Sequence, residues 1–225
     1  MVRVEQRLVR GRWWGLVLAC WAAVVLVGLP FAGQDRAGAL DAALMGAARD
    51  SSRALPGVVV PLTYATHPLA ILAMVLCVAA VALRLRRPRA ALLVVAAPVV
   101  TAGVNTAVLK PLFDRTHNGY LAYPSGHTGT LVAVLTAVVV IAVSAAEHRG
   151  RTALRMGLAA AGLTAVAAAG IVGHDYHYPT DCLGAAFWAI GTVVTIAAAL
   201  DRFPATVRPV GDARSGAPRS GNAAA

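Results

Sequence analysis

Six stretches almost free of charge, 13–31, 67–83, 90–109, 127–146, 156–173 and 181–200, divide this chain of 225 residues. A helix that crosses the ~30 Å hydrocarbon core of a bilayer needs about 20 such residues. Runs near that length become membrane-spanning helices, and the links between them become loops at one membrane face or the other. The composition agrees. Charged residues make up 13% of the chain, where a soluble domain has about 25%. The mean hydropathy is +0.68. The expected fold is all-α: a polytopic six-helix transmembrane bundle over residues 13–200.

The charges in the links orient this bundle. Six spans put both termini on one side. The 1–12 segment, the 84–89 turn, the 149–155 turn and the 201–225 tail together hold 15 Lys and Arg. The opposite side holds five: Arg36, Arg49, Arg53, Lys110 and Arg115. By the positive-inside rule the first group, with both termini, is cytoplasmic. The net charge of +10 then follows from topology and requires no nucleic acid partner. The expected location is a bacterial plasma membrane. Trp13 and Trp14 fit an interfacial belt. A cleaved secretory leader is the rival reading of 13–31, since Ala32 and Gly33 are small enough for cleavage, but the run is long for a leader. The 201–225 tail, rich in Gly, Ser, Pro and Ala, reads as disordered. On the outer side, 34–62 reads as an amphipathic connection lying outside or on the surface. It is helical over 37–54, with Leu40, Leu44, Met45 and Ala48 near helical spacing, and ends at Pro56. Cys20, Cys77 and Cys182 have neither metal spacing nor a paired framework and read as small apolar fillers.

Two loops, 110–127 and 174–181, face the outer side and concentrate the chemistry. The first carries Lys110, Asp114, Arg115, His117 and Tyr123-Pro124-Ser125-Gly126-His127. The second carries His174, Asp175, His177 and Asp181. Four of the six histidines lie here, as does the only lysine of a chain with 19 arginines. Pro124 suits the first position of a helix. Ser125 and Gly126 would then present backbone N–H groups at the positive end of the helix dipole, where an anion can bind. His127 adds a proton carrier that works near neutral pH. His177 and Asp181 are four residues apart, with Pro179 as a helix opener between them. A carboxylate so placed can hold an imidazole N–H and leave the other nitrogen as a nucleophile. The same pair could instead cap the sixth helix. A closed metal site would need more ligands than this spacing supplies, so no metal or other cofactor is expected.

These pieces resemble the type 2 phosphatidic acid phosphatase superfamily, membrane lipid phosphatases related to vanadium haloperoxidases. The family pattern is K-x6-R-P, then P-S-G-H, then S-R-x5-H-x3-D. Pro124-Ser125-Gly126-His127 matches the second piece completely. His177-Tyr178-Pro179-Thr180-Asp181 matches the end of the third, and Lys110 the start of the first. The resemblance implies hydrolysis of a lipid phosphate or diphosphate through a phosphohistidine, without metal, on the outer face. His177 would be the nucleophile, oriented by Asp181. His127 would protonate the leaving alcohol and then activate water. Lys110, Ser125 and Gly126 would hold the phosphate oxygens. Implied substrates are phosphatidic acid, phosphatidylglycerol phosphate and polyprenyl diphosphates.

Two departures from the pattern bear on this reading. His117 and Asn118 stand where the family has Arg-Pro. Arg115 is expected to reach the same phosphate from a shifted loop, with His117 beside it. Gly170 and Ile171 stand where the third piece has Ser-Arg. The alternative reading is therefore a catalytically weak family member that binds lipid phosphate or serves as a membrane scaffold. A transporter is disfavoured, because the spans lack the buried charges that mark such pathways. The missing arginine likewise disfavours haloperoxidase chemistry.

Overall fold

The computed structural model describes residues 7–9, 11 and 13–203. Most of the basic N-terminal segment, and the tail from 204 onward expected to be disordered, lie outside the described residues. Helix α1 (Trp13–Gly28) runs into a 3-10 turn, Leu29–Phe31. Next come α2 (Ala39–Ala54), α3 (Pro56–Tyr64), α4 (Pro68–Arg84) and α5 (Pro88–Val104). A π turn, Asn105–Leu109, carries α5 into the short α6 (Lys110–Phe113). A two-residue hairpin, β1 (Thr116–His117) and β2 (Tyr120–Leu121), precedes α7 (Gly126–Ala145), α8 (Arg149–Gly173) and α9 (Pro179–Leu200).

Five helical segments are long and apolar enough to cross a membrane, and a sixth is obtained if α3 and α4, bent by 73°, form one broken span. The bundle is built around α5, α7 and α9, which pack on one another. Ala90, Leu93, Val94 and Ala97 of α5, Ala133 and Ala137 of α7, and Ala189, Val193 and Ala197 of α9 are all fully buried. Small side chains let helix backbones approach closely where apolar burial alone gives no preference for protein over lipid. The large side chains point outward instead, including Leu18, Leu26, Leu76 and Leu158. The Leu8 and Val9 N–H groups donate to the Asp201 carboxylate at 2.9 and 2.8 Å. The two described ends of the chain thus meet at one end of the bundle.

The outer connection differs from its sequence reading. Pro56 does end α2, but it also opens α3, because the first helical position has no intrahelical bond for proline to lose. Both α2 and α3 lie against α8. The face that α2 buries is Asp41, Met45 and Ala48, while Leu40 and Leu44 are exposed. Glycine makes the approach of α3 possible: a Cβ on Gly170 would collide with Thr63 Oγ1 and lie 2.9 Å from Val59 Cγ1. A Cβ on Gly173 would meet Ser52 Oγ and the Ala48 carbonyl. Helix α8 also starts earlier than its apolar run, taking in Arg149, Arg151 and Arg155.

Tyr123 wedges the α1–α9 crossing to the hairpin loop. It is fully buried, donates its hydroxyl to Val24 O and packs edge-on against Phe113. A Cβ on either Gly28 or Gly184 would run into its ring. Gly184→Ala is therefore expected to destabilise the protein by about 1–3 kcal/mol, the usual cost of overpacking. Gly162→Ala, where a Cβ meets nothing within 4 Å, serves as control. Thermal unfolding in detergent checks this, with a lowered midpoint expected for the first variant alone.

Candidate active site

The loops 110–127 and 174–181 meet at the N-terminal ends of α7 and α9. The Ser125 N–H donates to Asp181 O at 3.0 Å, so one backbone bond joins them. Asn105, buried at the start of the π turn, donates its side-chain amide to Pro124 O at 3.0 Å. The Lys110 ammonium donates to Leu121 O. The helix starts two residues later than the proline suggested, at Gly126. Ser125 is the cap, its hydroxyl accepting the Thr128 N–H at 3.3 Å, and Pro124 precedes it. Ser125 is fully buried, and its backbone N–H is committed to Asp181 rather than free for an anion. Gly126, the first helical residue, has a backbone N–H without an acceptor inside its own helix.

Tyr178 caps α9 and Pro179 opens it, as the spacing suggested. Asp181 sits three residues beyond the cap and accepts the Tyr178 N–H at 2.9 Å. His177 precedes the cap, so it is not on the helix. Its Nδ1 is nonetheless 3.7 Å from Asp181 Oδ2. That is within ion-pair range and beyond a hydrogen bond, and the buried Nδ1 has no hydrogen-bond partner. The rings of His127 and His177 lie edge-on to each other, with centroids 6.0 Å apart and planes inclined at 64°. His127 is exposed and His177 buried. Among the described residues, no group of three or more His, Cys, Asp or Glu is arranged to hold a metal ion.

Arg115 does not occupy the position expected of it. It is fully buried, with NH1 2.7 Å from Asp181 Oδ1 and 2.6 Å from Thr180 Oγ1, and NH2 2.6 Å from Asp41 Oδ2. The Phe31 and Tyr178 rings cover it, each centroid 4.2 Å away. Both terminal nitrogens are taken by carboxylates, because two buried anions need a cation more than a solvated substrate does. Arg115 therefore holds Asp181 in place rather than reaching a phosphate. Burial, more than the nearby charges, raises the Tyr178 hydroxyl above its ordinary range. The phenol stays neutral and donates to Asp35 O at 3.0 Å.

His117 is also engaged. Its Nε2 lies 3.0 Å from Asp175 O, and its ring packs on Tyr178 at 4.3 Å. Asn118 donates to the same carbonyl at 3.0 Å, and Arg49 pairs with the Asp175 carboxylate at 3.3 Å. Asp175 adopts a φ of +64°, an uncommon conformation that Asp tolerates better than most residues. Ile171 is buried among Met45, Val172, Tyr178 and Cys182. With α3 over Gly170, the end of α8 has become an apolar contact where the sequence pattern has Ser-Arg.

Asp41 is the residue that sequence reasoning missed. Its carboxylate accepts the Thr180 N–H and hydroxyl, each at 3.0 Å, as well as Arg115. It lies four residues before Met45 and seven before Ala48, on the same helical stripe. A carboxylate in line with that stripe was the available signal.

No family model matches the sequence, and no curated protein does. Among solved structures, the fold is similar to that of a transmembrane PAP2 type phosphatidylglycerolphosphate phosphatase from Bacillus subtilis. The TM-score is 0.64 at 15% identity, over 80% of this chain and 93% of that one.

Removing one member of a buried charge group leaves the others unpaired. Arg115→Ala is expected to cost about 3–5 kcal/mol of stability, and Asp41→Asn less, because the amide oxygen still accepts. Chemical unfolding in detergent measures both. An Arg115→Ala protein of undiminished stability that has lost phosphate binding would return this residue to the substrate.

Proposed function

We propose that this chain is an integral membrane phosphatase that hydrolyses a lipid phosphate through a phosphohistidine on the outer face of the membrane. The observation that carries the reading is the neighbouring pair His127 and His177, ring centroids 6.0 Å apart, with Asp181 behind His177 and Lys110 nearby at the start of α6. A phosphoryl group between the rings would have a nucleophile on one side and a proton donor on the other. The fold likeness and the outer placement by the positive-inside rule support the same reading.

In this mechanism His177 Nε2 attacks phosphorus, forming the P–N bond as the ester P–O bond breaks. His127, protonated, gives its proton to the departing alkoxide. Neutral His127 then takes a proton from water, whose oxygen attacks phosphorus. The P–N bond breaks, and inorganic phosphate and the free imidazole are released. Asp181 stabilises the His177 ring as it gains charge, its distance of 3.7 Å closing when Nδ1–H donates to it. Catalytic hydrogen bonds are often long before substrate arrives. Lys110 and the Gly126 N–H stabilise the transferring oxygens.

A weak or purely binding relative is the second reading. One observation favours it: Arg115 is locked between carboxylates and Ile171 is apolar, which leaves Lys110 as the available cation of the two loops among the described residues.

Phosphate release from a panel of lipid phosphates, measured in EDTA with detergent-purified protein, decides between the two. The wild type is expected to turn over and His177→Ala to fall to background. His127→Ala is expected to lose about 10²–10⁴-fold, the usual contribution of a general acid–base. Equal release by wild type and His177→Ala would overturn the phosphohistidine. Lipid phosphate binding without release by any protein would favour the binding relative.

A further inference from the structure

Phosphate chemistry alone does not account for the cavity beside His127. It has a volume of about 190 Å³ and lies between the C-terminal end of α8 and the bend joining α3 to α4. Its walls include Thr63, Thr66, His67, His127, His174 and Tyr176. In phosphoryl transfer the attacking and leaving atoms lie roughly in line. With His177 as nucleophile and His127 as acid, the leaving group departs on the His127 side. His127 lines this cavity, while His177 is not among the lining residues.

The hydrogen bonds already made in the walls show what they have left to offer. The Thr63 hydroxyl donates to Val59 O at 2.8 Å and the Thr66 hydroxyl to Thr63 O at 2.7 Å. Each has used its one proton and keeps lone pairs. His174 Nδ1 lies 2.8 Å from the Gly170 carbonyl. A carbonyl only accepts, so Nδ1 carries the proton and the neutral ring keeps a lone pair on Nε2. His67 Nδ1 accepts the Leu69 N–H at 3.3 Å, which leaves the proton of its neutral ring on Nε2. The walls thus offer acceptors at Thr63, Thr66 and His174 and a donor at His67. None of the described lining residues is Lys or Arg.

A second phosphate brings negative charge and acceptors, and would meet acceptors, with His127 the one cation of the walls in this mechanism and its proton committed to the leaving oxygen. A hydroxyl can donate to those acceptors and accept from His67. We propose that this cavity is the leaving-group subsite and that it takes the hydroxyl-bearing part of an uncharged alcohol. The preferred substrates are then lipid monophosphates with a free hydroxyl near the ester, ahead of lipid diphosphates. The inference rests on the phosphatase reading of His127 and His177, and Thr66 and His174 become its specificity-determining residues.

Titration calorimetry with three amphiphiles tests it on the detergent-purified protein: 1-dodecanoyl-glycerol 3-phosphate, dodecyl phosphate and farnesyl diphosphate. The hydroxylated monophosphate is expected to bind about tenfold tighter than dodecyl phosphate, as one added hydrogen bond in a desolvated pocket allows. Farnesyl diphosphate is expected to bind more weakly than the hydroxylated monophosphate. His174→Phe and Thr66→Val each remove an acceptor and should bring the tenfold ratio to within about threefold. Thr66→Ser keeps the acceptor and should keep the ratio, which a merely structural role for Thr66 does not require. The proposal is overturned if farnesyl diphosphate binds tightest, if the wild type does not distinguish the two monophosphates, or if neither acceptor-removing variant moves the ratio. Phosphate release from the same three compounds runs in parallel. Preference in binding with no release from any compound refutes the phosphatase reading, and with it the leaving-group role, and leaves only a hydroxyl-binding cavity. Release from all three without preference refutes the subsite alone.

Discussion

The Arg115 guanidinium, shared between Asp41 and Asp181, is the interaction on which the rest of the site end of the bundle depends. Two carboxylates and one cation, all fully buried, would each be costly alone. Together they have hydrogen bonds of 2.6–2.7 Å to Arg115 and further donors in the Thr180 N–H and hydroxyl and the Tyr178 N–H. The arrangement fixes Asp181 from the side away from His177. It also ties α2, the hairpin loop and the start of α9 into one unit, with the Phe31 and Tyr178 rings excluding water from its faces. The Ser125–Asp181 backbone bond then carries that rigidity to the start of α7, where His127 lies.

Much of this was legible in the sequence, for identifiable reasons. The spans were readable because a bilayer demands long apolar runs, and the positions of α5, α7 and α9 follow theirs closely. Pro179 marked a helix start correctly, since nothing nearby offered a better cap. Pro124 misled by two residues because Ser125 is a stronger cap than proline is an opener. The burial of α2 was misread because Leu40 and Leu44 suggested the buried face, while the true one is organised by a carboxylate whose partner lies 74 positions away. Arg115 was misassigned for the same reason. A sequence shows that a cation is near a phosphate-binding motif but not which anions reach it first. Helix α3 escaped notice because it is short and follows a proline.

Gly170 and Ile171 shape the end of α8 in different ways, one admitting α3 and the other packing against α2 and α9. With no side chain at Gly170, the Thr63 hydroxyl and Val59 can sit directly on the α8 backbone. With an apolar side chain at Ile171, the end of α8 packs among Met45, Tyr178 and Cys182 instead of carrying charge. Neither residue is easily replaced. A bulkier residue at 170 would push α3 away, and a charge at 171 would be buried without a partner.

The buried charge group also bears on the order in which the chain is made. Its members come from residues 41, 115, 180 and 181, and polypeptides are synthesised from the N-terminus. Asp41 leaves the ribosome long before Arg115, and Arg115 long before Asp181. Until α9 is in place, Arg115 has one anion instead of two, and His177 has no carboxylate behind it. A nascent chain that has inserted five of its apolar runs is therefore well advanced as a membrane protein but has no assembled site. The charge group is complete only when the last helix has joined the bundle.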